Sequence, residues 1–159
     1  MLNNLKKTLL YFLISLLPKF HKFDRLRGSL YILLGVKAGK NFKVGSNAFI
    51  FSPDKLTVGD NCYVGVMTYL GTGNIGIGNN VLIGNNVNIL PSNHTDIGSG
   101  NFRFGQIDNK GIVIGNNCWL CAQSIIVAGV NISDNTKIAA GTIVLKSNAE
   151  QKFLKNIYK

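Results

Sequence analysis

His94 is the residue in this sequence best suited to chemistry. It follows Pro91-Ser92-Asn93 and precedes Thr95-Asp96, and the only other histidine among the 159 residues is His21. An imidazole can take a proton near neutral pH from a weak nucleophile, such as a hydroxyl, as that group attacks. Asp96 stands two residues on, where an aspartate either orients the imidazole or caps a turn. A second candidate is the C-x-x-C pair of Cys118 and Cys121. No second pair accompanies it, and two histidines cannot complete a zinc site, so packed thiols and no metal are expected. Cys62 makes the cysteine count three, an odd number that suits a reducing compartment rather than a disulfide framework.

The elements that must hold His94 are legible on both sides of it. An aliphatic residue recurs every six positions, and twelve such hexapeptides begin at Val44, Val58, Val64, Leu70, Ile77, Ile83, Ile89, Ile114, Leu120, Ile126, Ile132 and Ile138. At the fourth position nine of the twelve carry Asn or Gly: Asn47, Asn61, Asn80, Asn86, Asn117, Asn135, Gly73, Gly129 and Gly141. These residues accept a positive φ, so each repeat should turn there. The fifth position is small or β-branched, as in Cys62, Thr68, Val87, Ser124 and Thr142, which suits a narrow interior. A short strand and a turn every six residues cannot bury an apolar side alone, whereas stacked coils can. The prediction is an all-β solenoid over 44–147. A β-sandwich is disfavoured, because its turns recur every ~8–12 residues. Immediately after His94 the period is broken over 95–111, and it resumes at Ile114. A loop leaving a rigid scaffold is where binding and catalysis concentrate.

The net charge of +10 is unevenly spread. Residues 1–43 hold nine Lys/Arg against Asp24, residues 44–145 hold four against five acids, and the tail 148–159 is basic. The basic residues of the N-terminal segment alternate with leucines rather than with stacking aromatics, which argues against nucleic acid. Leu9 to Leu17 is an apolar run of nine residues, about 14 Å of helix. That is too short for a hydrocarbon core of roughly 30 Å, and no small-residue cleavage site follows it. Phe23, Leu26, Leu30, Leu33 and Leu34 then recur at helical spacing, with Gly35 as the stop. Segment 1–43 is therefore expected to be helical. It either lies on an anionic membrane surface or packs on the repeat body or a neighbouring subunit.

The phrases Ile77-Gly78-Asn79-Asn80-Val81, Ile83-Gly84-Asn85-Asn86-Val87 and Ile114-Gly115-Asn116-Asn117-Cys118-Trp119-Leu120 resemble the hexapeptide-repeat acyltransferases, over about residues 38–147. The resemblance implies a left-handed parallel β-helix, a hand that the period itself does not set. The order of His94, the loop after it and Trp119 is similar to that in sugar O-acetyltransferases, among them galactoside and maltose acetyltransferases and those of capsule and exopolysaccharide clusters. This implies an acetyl-CoA-dependent O-acetyltransferase acting on a sugar hydroxyl of a surface polysaccharide or its lipid-linked precursor, with His94 as general base. It also implies a homotrimer whose active sites lie between subunits. Carried over residue by residue, the cofactor contacts fall on Trp119, Ala122, Ala140, Gly141 and Lys146.

Cys121 departs from the family, which has glycine at that place, and its side chain would narrow the approach to the pantetheine. The sugar-contacting pattern of the galactoside enzymes is not found in Val64 to Tyr69, so a simple galactoside is not the expected acceptor. Asn93, Phe102, Arg103 and Phe104 are the candidate acceptor contacts, since aromatic faces stack on sugar rings. The expected location is cytoplasmic, peripheral to the inner face of the cytoplasmic membrane. N-acetylation of a nucleotide-linked amino sugar and a non-catalytic solenoid remain as alternatives. A γ-type carbonic anhydrase is disfavoured, because it needs three zinc histidines.

Overall fold

The structure is a computed structural model that describes all residues except 1, 97, 99, 101, 149–151 and 156–159. Two helices come first, α1 (Leu2–Leu16) and α2 (Asp24–Leu33). The chain then winds into coils of three short strands each. The first coil is β1 (Lys37–Ala38), β2 (Lys43–Val44) and β3 (Phe49–Ile50), and the second is β4 (Leu56–Val58), β5 (Tyr63–Val64) and β6 (Tyr69–Leu70). The third is β7 (Ile75–Ile77), β8 (Leu82–Ile83) and β9 (Asn88–Leu90). After an excursion through β10 (Ser92–His94) and β11 (Ile107–Asn109), the fourth coil is β12 (Ile112–Ile114), β13 (Trp119–Leu120) and β14 (Ile125–Val127). The fifth is β15 (Asn131–Ile132), β16 (Lys137–Ile138) and β17 (Ile143–Val144), and β18 (Phe153–Leu154) belongs to a sixth.

Each strand pairs in parallel with its equivalents one coil away, which makes three faces: β1-β4-β7-β12-β15, β2-β5-β8-β13-β16-β18 and β3-β6-β9-β14-β17. This is the β-solenoid of hexapeptide repeats that the period predicts. The first coil opens at Lys37, ahead of the expected segment boundary at 43/44.

The period works because its inward residues stack in register. Val44, Val64, Ile83, Leu120 and Ile138 form one column, and all twelve repeat-opening residues are buried. Burying each such side chain contributes about 1.5–3 kcal/mol. Ile50 and Val144 also point inward. Three residues after them stand Pro53 and Ser147 rather than Asn or Gly, which is why the periodic reading passes over them. Eleven of the twelve fourth positions do have positive φ, including Met67 (57°) and Gln123 (62°), where the sequence offers neither Asn nor Gly. The twelfth, Ser92, instead opens β10.

At the corner between the first and second faces, Asn41, Asn61, Asn80, Asn117 and Asn135 form a ladder. Each side-chain amide donates to the next at 3.0–3.3 Å. The small fifth-position residues are buried, and the hydroxyls of Thr68, Ser124 and Thr136 find partners, as in Thr68 Oγ1 donating to the Gly84 carbonyl at 2.7 Å, whereas Thr142 Oγ1 is buried with none among the described residues.

Helix α2 covers the open end of the first coil. A Cβ on Gly28 would stand 2.5 Å from the Phe42 carbonyl oxygen, so the helix backbone lies directly on the solenoid. Tyr31 is buried and its hydroxyl donates to the Ala48 carbonyl at 3.0 Å. Arg27 is buried too, pairing with Asp24 at 2.6 Å and donating to the Pro18 carbonyl. One side of α1 packs beside this cap through Leu10 and Tyr11, the latter stacked on Phe49 with centroids 5.7 Å apart.

Candidate active site

The break in the repeat is an antiparallel hairpin. Strands β10 and β11 pair Ser92 with Asn109, Asn93 with Asp108 and His94 with Ile107. Thr95 extends the arm by donating its N–H (2.9 Å) and its hydroxyl (3.0 Å) to the Gln106 carbonyl. At the base, Gly111 N–H donates to the Pro91 carbonyl at 3.0 Å, and Asn109 Oδ1 accepts the Asn74 N–H at 3.3 Å. The hairpin is thus fixed to the third and fourth coils at the corner between the third and first faces. It holds Asn93 and His94 exposed at the end of its first arm. The imidazole has no hydrogen-bond partner among the described residues, which leaves both ring nitrogens available to an acceptor and a water.

Asp96 follows the arm, and its carboxylate accepts the N–H groups of Gly98 (3.1 Å) and Gly100 (3.2 Å). These bonds are those of a turn cap. Beyond them Phe102, Arg103 and Phe104 form one turn of 3-10 helix (Phe102–Phe104) at the far end of the hairpin. Both rings are exposed, and the Arg103 guanidinium lies 5.7 Å from the Phe104 centroid. Gly105 closes this end against Thr95, leaving no room for a Cβ. The second arm, Ile107 to Asn109, was not separable from loop in sequence: three alternating residues carry too little periodicity, and only pairing with β10 makes them a strand.

The residues expected to hold a cofactor fall in two places. Ala122 and, one coil on, Ala140 and Gly141 occupy the corner between the second and third faces, where Gly141 N–H donates to the Ala122 carbonyl at 3.0 Å. Ala140 and Gly141 are exposed and Ala122 is half-buried, so this strip of small residues reaches the surface. Trp119 precedes it on the second face, half exposed, with Lys137 Nζ 4.1 Å from its ring. Cys121 sits between them with its N–H donated to the Ile138 carbonyl at 2.9 Å. Lys146, exposed, lies beyond β17, towards the corner that carries the hairpin.

Within one chain the strip and His94 stand at different corners of the coil. Between them is the third face, which shows Ile125 and Ile143 in register on its outside. Cys118, by contrast, is buried and donates its thiol to the Ser133 carbonyl at 3.2 Å. Among the described residues no three His, Cys, Asp or Glu side chains are grouped to hold a metal.

The repeat match brackets the same geometry. The family profile described as "Hexapeptide repeat of succinyl-transferase" matches residues 55–91 and 111–146, and the gap between the blocks is the hairpin. The chain is 37% identical over 124 residues to the putative colanic acid biosynthesis acetyltransferase WcaF of Escherichia coli K12, covering 77% of this chain and 66% of that one. It is 34% identical over 110 residues to the galactoside O-acetyltransferase of the same organism, covering 65% of this chain and 54% of that one. A solved galactoside acetyltransferase in complex with coenzyme A superposes with a TM-score of 0.68 at 26% identity, covering 91% of this chain and 72% of the other. The chain belongs to the hexapeptide-repeat family, with the left-handed parallel β-helix that membership implies. It spans about two thirds of the length of WcaF.

Proposed function

We propose that this chain is an acetyl-CoA-dependent O-acetyltransferase acting on a sugar hydroxyl of a surface polysaccharide or its lipid-linked precursor. The observation that carries this reading is His94, held exposed at the end of a hairpin arm that leaves one corner of an otherwise regular solenoid. Relatives named for acetyl transfer to colanic acid and galactosides support the reaction class. His94 acts as general base, withdrawing the hydroxyl proton as the oxygen attacks the acetyl carbonyl. Asp96 serves it at one remove, holding the hairpin end through the Gly98 and Gly100 amides. Asn93, Phe102, Arg103 and Phe104 lie along the hairpin and contact the acceptor.

Acetyl-CoA supplies the activated acetyl group. The strip of small residues Ala122, Ala140 and Gly141 suits a thin extended chain, Trp119 flanks it, and Lys146 offers a cation to a phosphate. Because the strip and His94 stand at different corners of one coil, a homotrimer with each site built by two subunits fits this separation. A position at the inner face of the cytoplasmic membrane, near a lipid-linked acceptor, is part of the same proposal, and the exposed apolar side of α1 supports it.

The test is acetyl transfer from acetyl-CoA to a panel of surface-glycan precursors carrying hydroxyl or amine acceptors, with the product linkage determined. His94→Ala is expected to lower the rate about 10²- to 10⁴-fold. Undiminished transfer by that variant would remove His94 as the base, and amide products alone would replace the O-acetyl reading.

A further inference from the structure

The outward residues of the first face, Lys37, Thr57, Gly76, Val113 and Asn131, stand directly beside one another across five coils. They floor a groove of about 430 Å³. Four strand spacings make this row ~19 Å long, longer than one sugar ring needs. Lys55 lines one part of the groove, and Lys110, next to β11 at the foot of the His94 hairpin, lines another. Residues 44–145 contain only four Lys/Arg, so a nearly neutral body sets two of its four cations beside one groove, with Lys37 as a third. Two acids temper them: Asp54 on the rim, and Asp108, which pairs with Lys110 at 3.3 Å.

The middle of the row is a glycine that the fold does not require. A Cβ at Gly76 would meet only Thr57 Oγ1, at 3.7 Å, and its φ is not positive. At Gly78 and Gly45, by comparison, a Cβ would stand 2.7 Å from Asn116 Oδ1 and from the Val66 nitrogen. A glycine inside a strand costs stability and marks a place where something approaches the backbone closely.

We propose that this groove binds an acidic stretch of the acceptor glycan, sugar units carrying carboxylates, laid along the first face with one end at the His94 hairpin. The proposal rests on the acetyl-transfer reading for its biological sense. The lysines meet the carboxylates, Thr57 and Asn131 exchange hydrogen bonds with sugar hydroxyls, and the bare backbone at Gly76 lets the chain lie close.

Calorimetric titration tests it, with a polyglucuronate hexasaccharide and its carboxyl-reduced, neutral counterpart as probes. The acidic hexamer is expected to bind about tenfold more tightly than the reduced one, and Lys37→Ala/Lys55→Ala to lose about that factor for the acidic probe alone. Gly76→Val, which fills the groove, weakens both probes, with melting curves confirming that each variant is folded. The titration reads binding without acetyl-CoA, so a failed acetyltransferase assay and a failed groove are told apart. Equal binding of the two probes by the native protein, or undiminished binding by the folded double-lysine variant, would overturn the proposal.

Discussion

At the scale of single residues, the three cysteines separate by position in the coil. Cys62 and Cys118 occupy the buried fifth position of their repeats, and burial pushes both thiols up from their ordinary range. Neither can form much thiolate near neutral pH, and neither is reached by solvent. Cys121 sits one residue past its inward neighbour Leu120 and is partly exposed. Iodoacetamide at neutral pH should therefore modify Cys121 alone in the native protein and all three after unfolding, read by peptide mass spectrometry. Protection of Cys121 by coenzyme A in the same experiment would place the thioester strip beside it. The C-x-x-C spacing was visible in sequence, but that its two members face different environments follows from their places at opposite ends of β13, Cys118 turned into the coil and Cys121 opening the next corner.

At the scale of elements, the corners set the local cost of the fold. Asn and Gly take the left-handed conformation readily, whereas Met67 (φ 57°) and Gln123 (φ 62°) pay for it. The left-handed region costs an ordinary side chain roughly 1–2 kcal/mol. Met67 is exposed and makes no described hydrogen bond through its side chain, so Met67→Asn should raise stability by about 1 kcal/mol, measured by urea unfolding. Gln123 adjoins the Ala122, Ala140 and Gly141 strip, so the same change there would also show in the KM for acetyl-CoA. The hexapeptide pattern led directly to both corners, because their neighbours keep the period even where the turn residue does not. The hairpin that carries His94 had no such pattern to reveal its second arm.

At the scale of the whole molecule, α1 is two-sided. Leu10 and Tyr11 pack on the first coil, while Leu5, Leu9, Phe12 and Leu16 are exposed along the opposite side at helical spacing. Lys6, Lys7, Lys19 and Lys22 make this end of the chain basic, and the first acid in the chain, Asp24, is buried against Arg27. Among the described residues no helix is long and apolar enough to cross a membrane. Such a surface suits an anionic bilayer interface, where each nearby cation adds about 1 kcal/mol. The protein is expected to float with vesicles containing phosphatidylglycerol and less with neutral ones, and Leu9→Glu/Phe12→Glu to abolish flotation while leaving the packed side intact. Flotation unchanged by that substitution would leave the stripe to a neighbouring subunit.

The sequence by itself determined the solenoid, its inward columns and its corners. Each depends on a residue and its neighbours within one hexapeptide, so twelve repetitions of a local rule add to a global one. It also marked His94, because a broken period is as visible as a kept one. Only the tertiary structure decided that His94 and the Ala122 strip stand at different corners, that α1 uses one side on the first coil and leaves the other free, and that Lys37, Gly76 and Asn131 share one row. Those relations join residues tens of positions apart through the stacking of coils, and no spacing within a single repeat encodes them.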